Sequence, residues 1–178
     1  MKKEKINKIC LTGVGVASFV VLSLCIQVPV FENYYLCLGY IVFGFFCYFM
    51  GTLSSIIVGS LGVVLYCLLI NGLRGMPGWV VANIVIAIIV SLVCKSTENM
   101  QNKKLRHFII LTSVVVSVAI GILGAKSIVE SFLYAQPFAL RLAKNIYAFV
   151  SDVIVMGISI PICYKLEPIV RKKLKKAR

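Results

Sequence analysis

The stretch KICLTGVGVASFVVLSLCIQV, residues 8–28, carries no charged side chain after Lys8. A helix rising 1.5 Å per residue needs about 20 apolar residues to cross the ~30 Å hydrocarbon core of a bilayer. The stretch therefore reads as a membrane span, Lys8 to Val28. Its interior is rich in small residues, with Gly13, Gly15, Ala17 and Ser18 close together. Each glycine weakens a helix by about 1 kcal/mol relative to alanine, but small side chains let another helix come close. Gly13 and Ala17 form a small-xxx-small pair with Gly15 between them. Packing inside a bundle and docking on an external partner fit this pattern equally well. The run has basic flanks like a signal sequence, yet it is long and lacks a small-x-small cleavage site before Pro29, so it is expected to stay as an anchor.

The rest of the chain has the same character. Its 178 residues are 60% hydrophobic and 14% charged, with a mean hydropathy of +0.98, against roughly 25% charge in a soluble domain. The length has room for six spans and no separate soluble domain, so residues 1–178 are read as one membrane domain. After span one, PVFENYYL reads as a loop. Further spans are expected at about 36–50, 52–70, 79–94, 108–130 and 142–164, with a tight hairpin at Gly51, a Gly/Pro turn at NGLRGMPG and a basic solvated tail at 165–178. The expected fold is an all-α bundle of six membrane helices.

The net charge of +13 follows topology rather than nucleic-acid binding, because the basic residues gather at the ends of apolar runs. Four precede span one (Lys2, Lys3, Lys5, Lys8) and four follow span four (Lys95, Lys103, Lys104, Arg106). Seven more follow span six (Lys165, Arg171, Lys172, Lys173, Lys175, Lys176, Arg178). An even number of spans puts all 15 on one side, and the positive-inside rule makes that side, with both termini, cytoplasmic. Arg74, Lys126, Arg141 and Lys144 fall toward the other side.

Polar residues within spans are costly and mark sites. Trp79 and Asn83 share a helix face at the start of span four, while Arg141, Asn145 and Asp152 lie within about 40° of one another on span six. Lys126 and Glu130 sit four apart near the outer end of span five, which YAQPF, Tyr134 to Phe138, closes. These residues could line one outward pocket, aromatics stacking on a flat ligand while amides and charges fix its edges. An interfacial aromatic belt and headgroup contacts explain several of them singly, but not Asn83 and Asp152 at depth.

Nothing in the sequence points to catalysis, a metal or a cofactor. The only histidine, His107, lies at a span edge, Ser60 in VGSLG has no histidine base beside it, and no phosphate-binding loop of the Walker type is present. No two of the seven cysteines form a CxxC pair, and most read as small buried hydrophobes.

LTGVGVASFVVL, YIVFGFFCYFMGTLSSIIVGSLG, GMPGWVVANIVIAIIV and PFALRLAKNIYAFVSDVIVMGISIPICYKL, in that order, resemble the substrate-binding S components of energy-coupling factor (ECF) transporters, most closely the riboflavin-type subgroup. The resemblance implies a bacterial plasma-membrane protein that captures a vitamin or related micronutrient on the outer side. Import would then be driven through a membrane scaffold, the T component, and two ATP-binding subunits. It places ligand contacts on Glu32, Asn33, Tyr34, Trp79, Asn83, Tyr134, Gln136, Arg141, Asn145 and Asp152, and T-component docking on Gly13, Gly15 and Ala17. Riboflavin is the first ligand it suggests, with a queuosine precursor, pantothenate or a pyrimidine precursor as alternatives. A stand-alone secondary carrier or a membrane assembly factor is the rival reading.

Overall fold

The computed structural model describes residues 2–25, 27–31, 34–70, 72–73 and 75–176, and side chains from 6–25, 36–70, 72–73 and 75–173. In chain order these form α1 (Lys2–Cys25), β1 (Gln27–Phe31), β2 (Tyr34–Cys37), α2 (Gly39–Phe49), α3 (Thr52–Leu69) and α4 (Met76–Ser96). There follow α5 (Lys103–Val118), a π-helical segment (Ala119–Lys126), α6 (Ser127–Tyr134) and α7 (Phe138–Lys176). Among the described residues, five helical runs are long and apolar enough to cross a membrane: Ile6–Cys25, Thr52–Leu69, Met76–Ser96, Lys103–Tyr134 and Phe138–Lys173. α2 has 11 residues and covers about 16 Å, half of a bilayer core.

Three expectations need correction. PVFENYYL is not an irregular loop: β1 and β2 pair antiparallel, Gln27 with Cys37 and Phe31 with Tyr34, with an irregularity between Pro29 and Phe31. Proline disfavours helix in the residue before it, so α1 stops at Cys25, short of Val28, and the valines and tyrosines that follow suit a pleated ribbon. Span six and the basic tail are one helix, unbroken through Pro161 and Pro168. Leu, Lys and Arg in the tail are good helix formers, and cations suit a helix C-terminus. The fifth span is also longer than 108–130, with helical winding from Lys103 to Tyr134.

α1 shows how the sequence sorts its faces. Val16, Phe19, Val20 and Ser23, at helical spacing, are buried, while Ile9, Val14 and Val21 are exposed, as expected for a rod with lipid on one side. Its two buried hydroxyls are satisfied within the helix, Thr12 donating to the Lys8 carbonyl at 2.8 Å and Ser23 to that of Phe19 at 2.7 Å, which lets them sit in hydrocarbon. Gly51, at φ 82°, makes the turn between α2 and α3, and the Asn102 side chain caps α5 by accepting from Leu105 N at 3.2 Å. Phe19, Phe43, Val58, Ile86, Ile110, Ile122 and Met156 fill the core.

Both helical termini lie at one end of the bundle. Lys8 and Thr12 of α1 border a 490 Å³ groove with Leu53 and Ser54 at the start of α3. Glu167, late in α7, accepts from Tyr48 of α2 at 2.8 Å and from Arg106 of α5 at 2.9 and 3.0 Å. Arg171 donates to Glu167 at 2.6 Å and pairs with Glu98. This basic end is thus tied across α2, α5, α7 and the α4–α5 turn, and apart from the i, i+4 pair Glu167–Arg171 its partners are too far apart in sequence to pair by spacing. The β-ribbon, packed on α1 and α7, marks the opposite end.

Candidate ligand site

At the ribbon end, two polar clusters meet. The first is built on the starts of α2 and α4. The Trp79 indole N–H donates to the Tyr40 hydroxyl at 2.9 Å, and that hydroxyl donates to Asn83 Oδ1 at 2.8 Å. Asn83 Nδ2 in turn donates to the Gly59 carbonyl of α3 at 3.0 Å. Trp79 stands edge-on to Tyr66, their centroids 5.7 Å apart. Tyr40 and Asn83 have no solvent exposure, so each of these bonds replaces one that water cannot supply.

The second cluster joins α6 to α7. Asn145 Nδ2 donates to Ser127 Oγ at 3.0 Å and to Glu130 Oε2 at 3.2 Å. Glu130 also faces two cations, Lys126 Nζ at 3.9 Å and Arg141 Nη1 at 3.7 Å. The Arg141 guanidinium lies 4.6 Å over the Tyr134 ring, and its Nε is buried without a hydrogen-bond partner. The chain enters this cluster through the π-helical turns before Ser127, and widened turns of that kind collect at functional sites. Ser127 reaches back five residues to the Ile122 carbonyl at 3.3 Å, and Lys126, Ser127 and Glu130 all turn inward.

Asp152 links the clusters. It is 4% exposed, faces the Tyr40 hydroxyl and interacts with the Lys126 ammonium. Lys126 and Arg141 balance Glu130 and Asp152, the condition under which charges persist at depth. Close approach makes the junction possible, because a Cβ on Gly78 would come within 2.9 Å of Glu130 Cγ and 3.1 Å of Lys126 Cγ.

The sequence-derived set divides accordingly. Trp79, Asn83, Arg141, Asn145 and Asp152 come together, joined by Lys126 and Glu130. Tyr134 is half-buried under Arg141, whereas Gln136 is exposed and contributes its carbonyl to Ser131 Oγ at 2.7 Å. Tyr34 lies on β2 opposite Phe31, and Glu32 and Asn33 fall outside the described residues. Tyr40 is the member that sequence reasoning misses. A tyrosine inside an apolar run is the available signal, since a buried hydroxyl must find a partner. On α1, Gly13 and Ala17 face outward, and a Cβ at Gly13 would meet nothing within 4 Å. Gly15 is buried against Phe46, with which a Cβ would collide.

Residues 3–167 match the family model described as "ECF-type riboflavin transporter, S component". The chain belongs to the ECF S-component family. It is a multi-pass membrane protein of a transport system. This S component is 24% identical over 172 residues to the UPF0397 protein str0306 of Streptococcus thermophilus (strain CNRZ 1066), an alignment covering 89% of this chain and 92% of that one. Its fold is similar to the crystal structure of an S component for biotin from an ECF-type ABC transporter, with a TM-score of 0.64, 15% identity and 94% of each chain covered.

Proposed function

We propose that this S component captures a vitamin or related micronutrient, riboflavin first, at the ribbon end, and delivers it to a T component energised by two ATP-binding subunits. In this reading the chain crosses a bacterial plasma membrane six times, α2 completing its crossing with the ribbon, and keeps both termini in the cytoplasm. It is a binding subunit rather than an enzyme. Trp79 and Tyr134 offer aromatic faces to the ligand, and Arg141, Asn145 and Asp152 its polar contacts. Gly13 and Ala17 form the outward small-residue face for the T component, while Gly15 serves packing against Phe46.

The observation that carries the reading is the convergence of buried polar side chains from α2, α4, α6 and α7 at the end opposite the basic residues, in a chain of this family. Intramembrane polar groups cost free energy that a purely structural bundle avoids. The family match to a riboflavin S component supports riboflavin, and the neighbour described as binding biotin keeps other vitamins in view. The test is purification of the tagged chain from its native membrane. A T component and two ATP-binding subunits are expected to accompany it, and mass spectrometry should find riboflavin bound. Transport by the isolated chain alone would overturn the assignment in favour of a solitary carrier. A different bound vitamin would overturn only riboflavin.

A further inference from the structure

Tyr40 is fully buried, its ring set between Phe19, 6.3 Å away and tilted by 56°, and Phe43, 5.7 Å away and edge-on. A tyrosine hydroxyl has one proton and two acceptor lone pairs. Here the proton goes to Asn83 Oδ1 and a lone pair takes the Trp79 N–H, with the Asp152 carboxyl facing the same hydroxyl. Both ends of the Asn83 amide are engaged by protein, because Nδ2 donates to the Gly59 carbonyl. Trp79 differs from its partners in being only half-buried. Its indole is held at the N–H by Tyr40 and stands nearly perpendicular to the Tyr66 ring, 5.7 Å away, two contacts that together fix the orientation of the ring.

We infer that Tyr40 is the positioning residue of the ligand site: its hydroxyl fixes the plane of the Trp79 indole for stacking on a flat ligand, and Asn83 acts on that ligand through Tyr40 rather than by touching it. The inference rests on the preceding proposal that Trp79 faces the ligand. The brace spans three helices, with Asn83 holding α4 to the α3 backbone and to α2 at once. Its function is orientation, since a rigid aromatic face loses less freedom on binding than a mobile one.

Trp79 is the sole tryptophan, so ultraviolet resonance Raman of the purified full chain reads this one indole. Tyr40→Phe keeps the packed ring and removes the acceptor. The indole N–H marker band should move to its unbonded position in Tyr40→Phe and stay in place in Tyr48→Phe, which removes a hydroxyl at the opposite end. Riboflavin is the binding probe. Tyr40→Phe should weaken it about tenfold, and Tyr40→Phe with Asn83→Ala should lose no more than Tyr40→Phe alone, as for residues acting as one unit. An unmoved marker band, or losses that add in the double variant, would overturn the inference. A wild-type chain that binds no riboflavin overturns the riboflavin assignment, and the Raman arm then decides the Tyr40–Trp79 tie, a shift supporting it and no shift refuting it.

Discussion

Glu130 is the carboxylate on which the second polar cluster turns, facing Lys126, Arg141 and Asn145 while only 3% exposed. Removing one charge from a buried group of this kind leaves its partners uncompensated, at a cost of about 3–5 kcal/mol. Glu130→Gln, nearly identical in shape, should therefore lower the thermal unfolding temperature in detergent markedly, and a midpoint within a degree of wild type would refute the charge-balance account. In riboflavin binding, Asn145→Ala and Asp152→Ala should each weaken affinity at least tenfold, measured by quenching of Trp79, and unchanged affinity in both would remove them from the site. The sequence made much of this cluster legible, since Arg141, Asn145 and Asp152 share a face by helical spacing alone. The Tyr40–Asn83 and Arg106–Glu167 pairs stayed hidden because their members are 43 and 61 residues apart, and no local periodicity pairs residues across such gaps.

Helix ends carry the most specific predictions at the level of elements. Gly51 has φ 82° and ψ 174°, a region that costs a residue with a side chain about 1–3 kcal/mol, so Gly51→Ala should destabilise the α2–α3 turn by that amount in chemical unfolding. Ala135, after α6, occupies the left-handed region at φ 49°, where glycine is at ease, and Ala135→Gly should stabilise by up to about 1 kcal/mol. The α1 glycines separate two roles: Gly15→Leu should disturb the fold by collision with Phe46, whereas Gly13→Leu should leave the monomer folded and reduce recovery of the T component. A Gly13→Leu chain that still brings down the full complex would refute docking on that face. Hydropathy found the long helices because lipid demands unbroken apolar runs. The ribbon escaped it, being two short strands whose identity depends on pairing with each other, and so did the continuity of α7, where two prolines read locally as stops.

Across the whole molecule, the ends differ in kind: one is basic and cross-tied through Arg106, Glu167, Arg171 and Glu98, the other holds the ribbon and the polar clusters. Cys25, exposed at the ribbon end of α1, tests the proposed orientation. A membrane-impermeant maleimide should label it on intact cells, the signal disappearing in Cys25→Ser, and labelling only after lysis would invert the topology. The shortness of α2 has a consequence for cargo. A rod of about 16 Å in a ~30 Å slab leaves some 14 Å of its column unfilled by helix, about 10 Å across. That remainder falls to the ribbon, which runs directly into the start of α2, so in the reading proposed above a ligand would have to sit beside the strands rather than in line with α2.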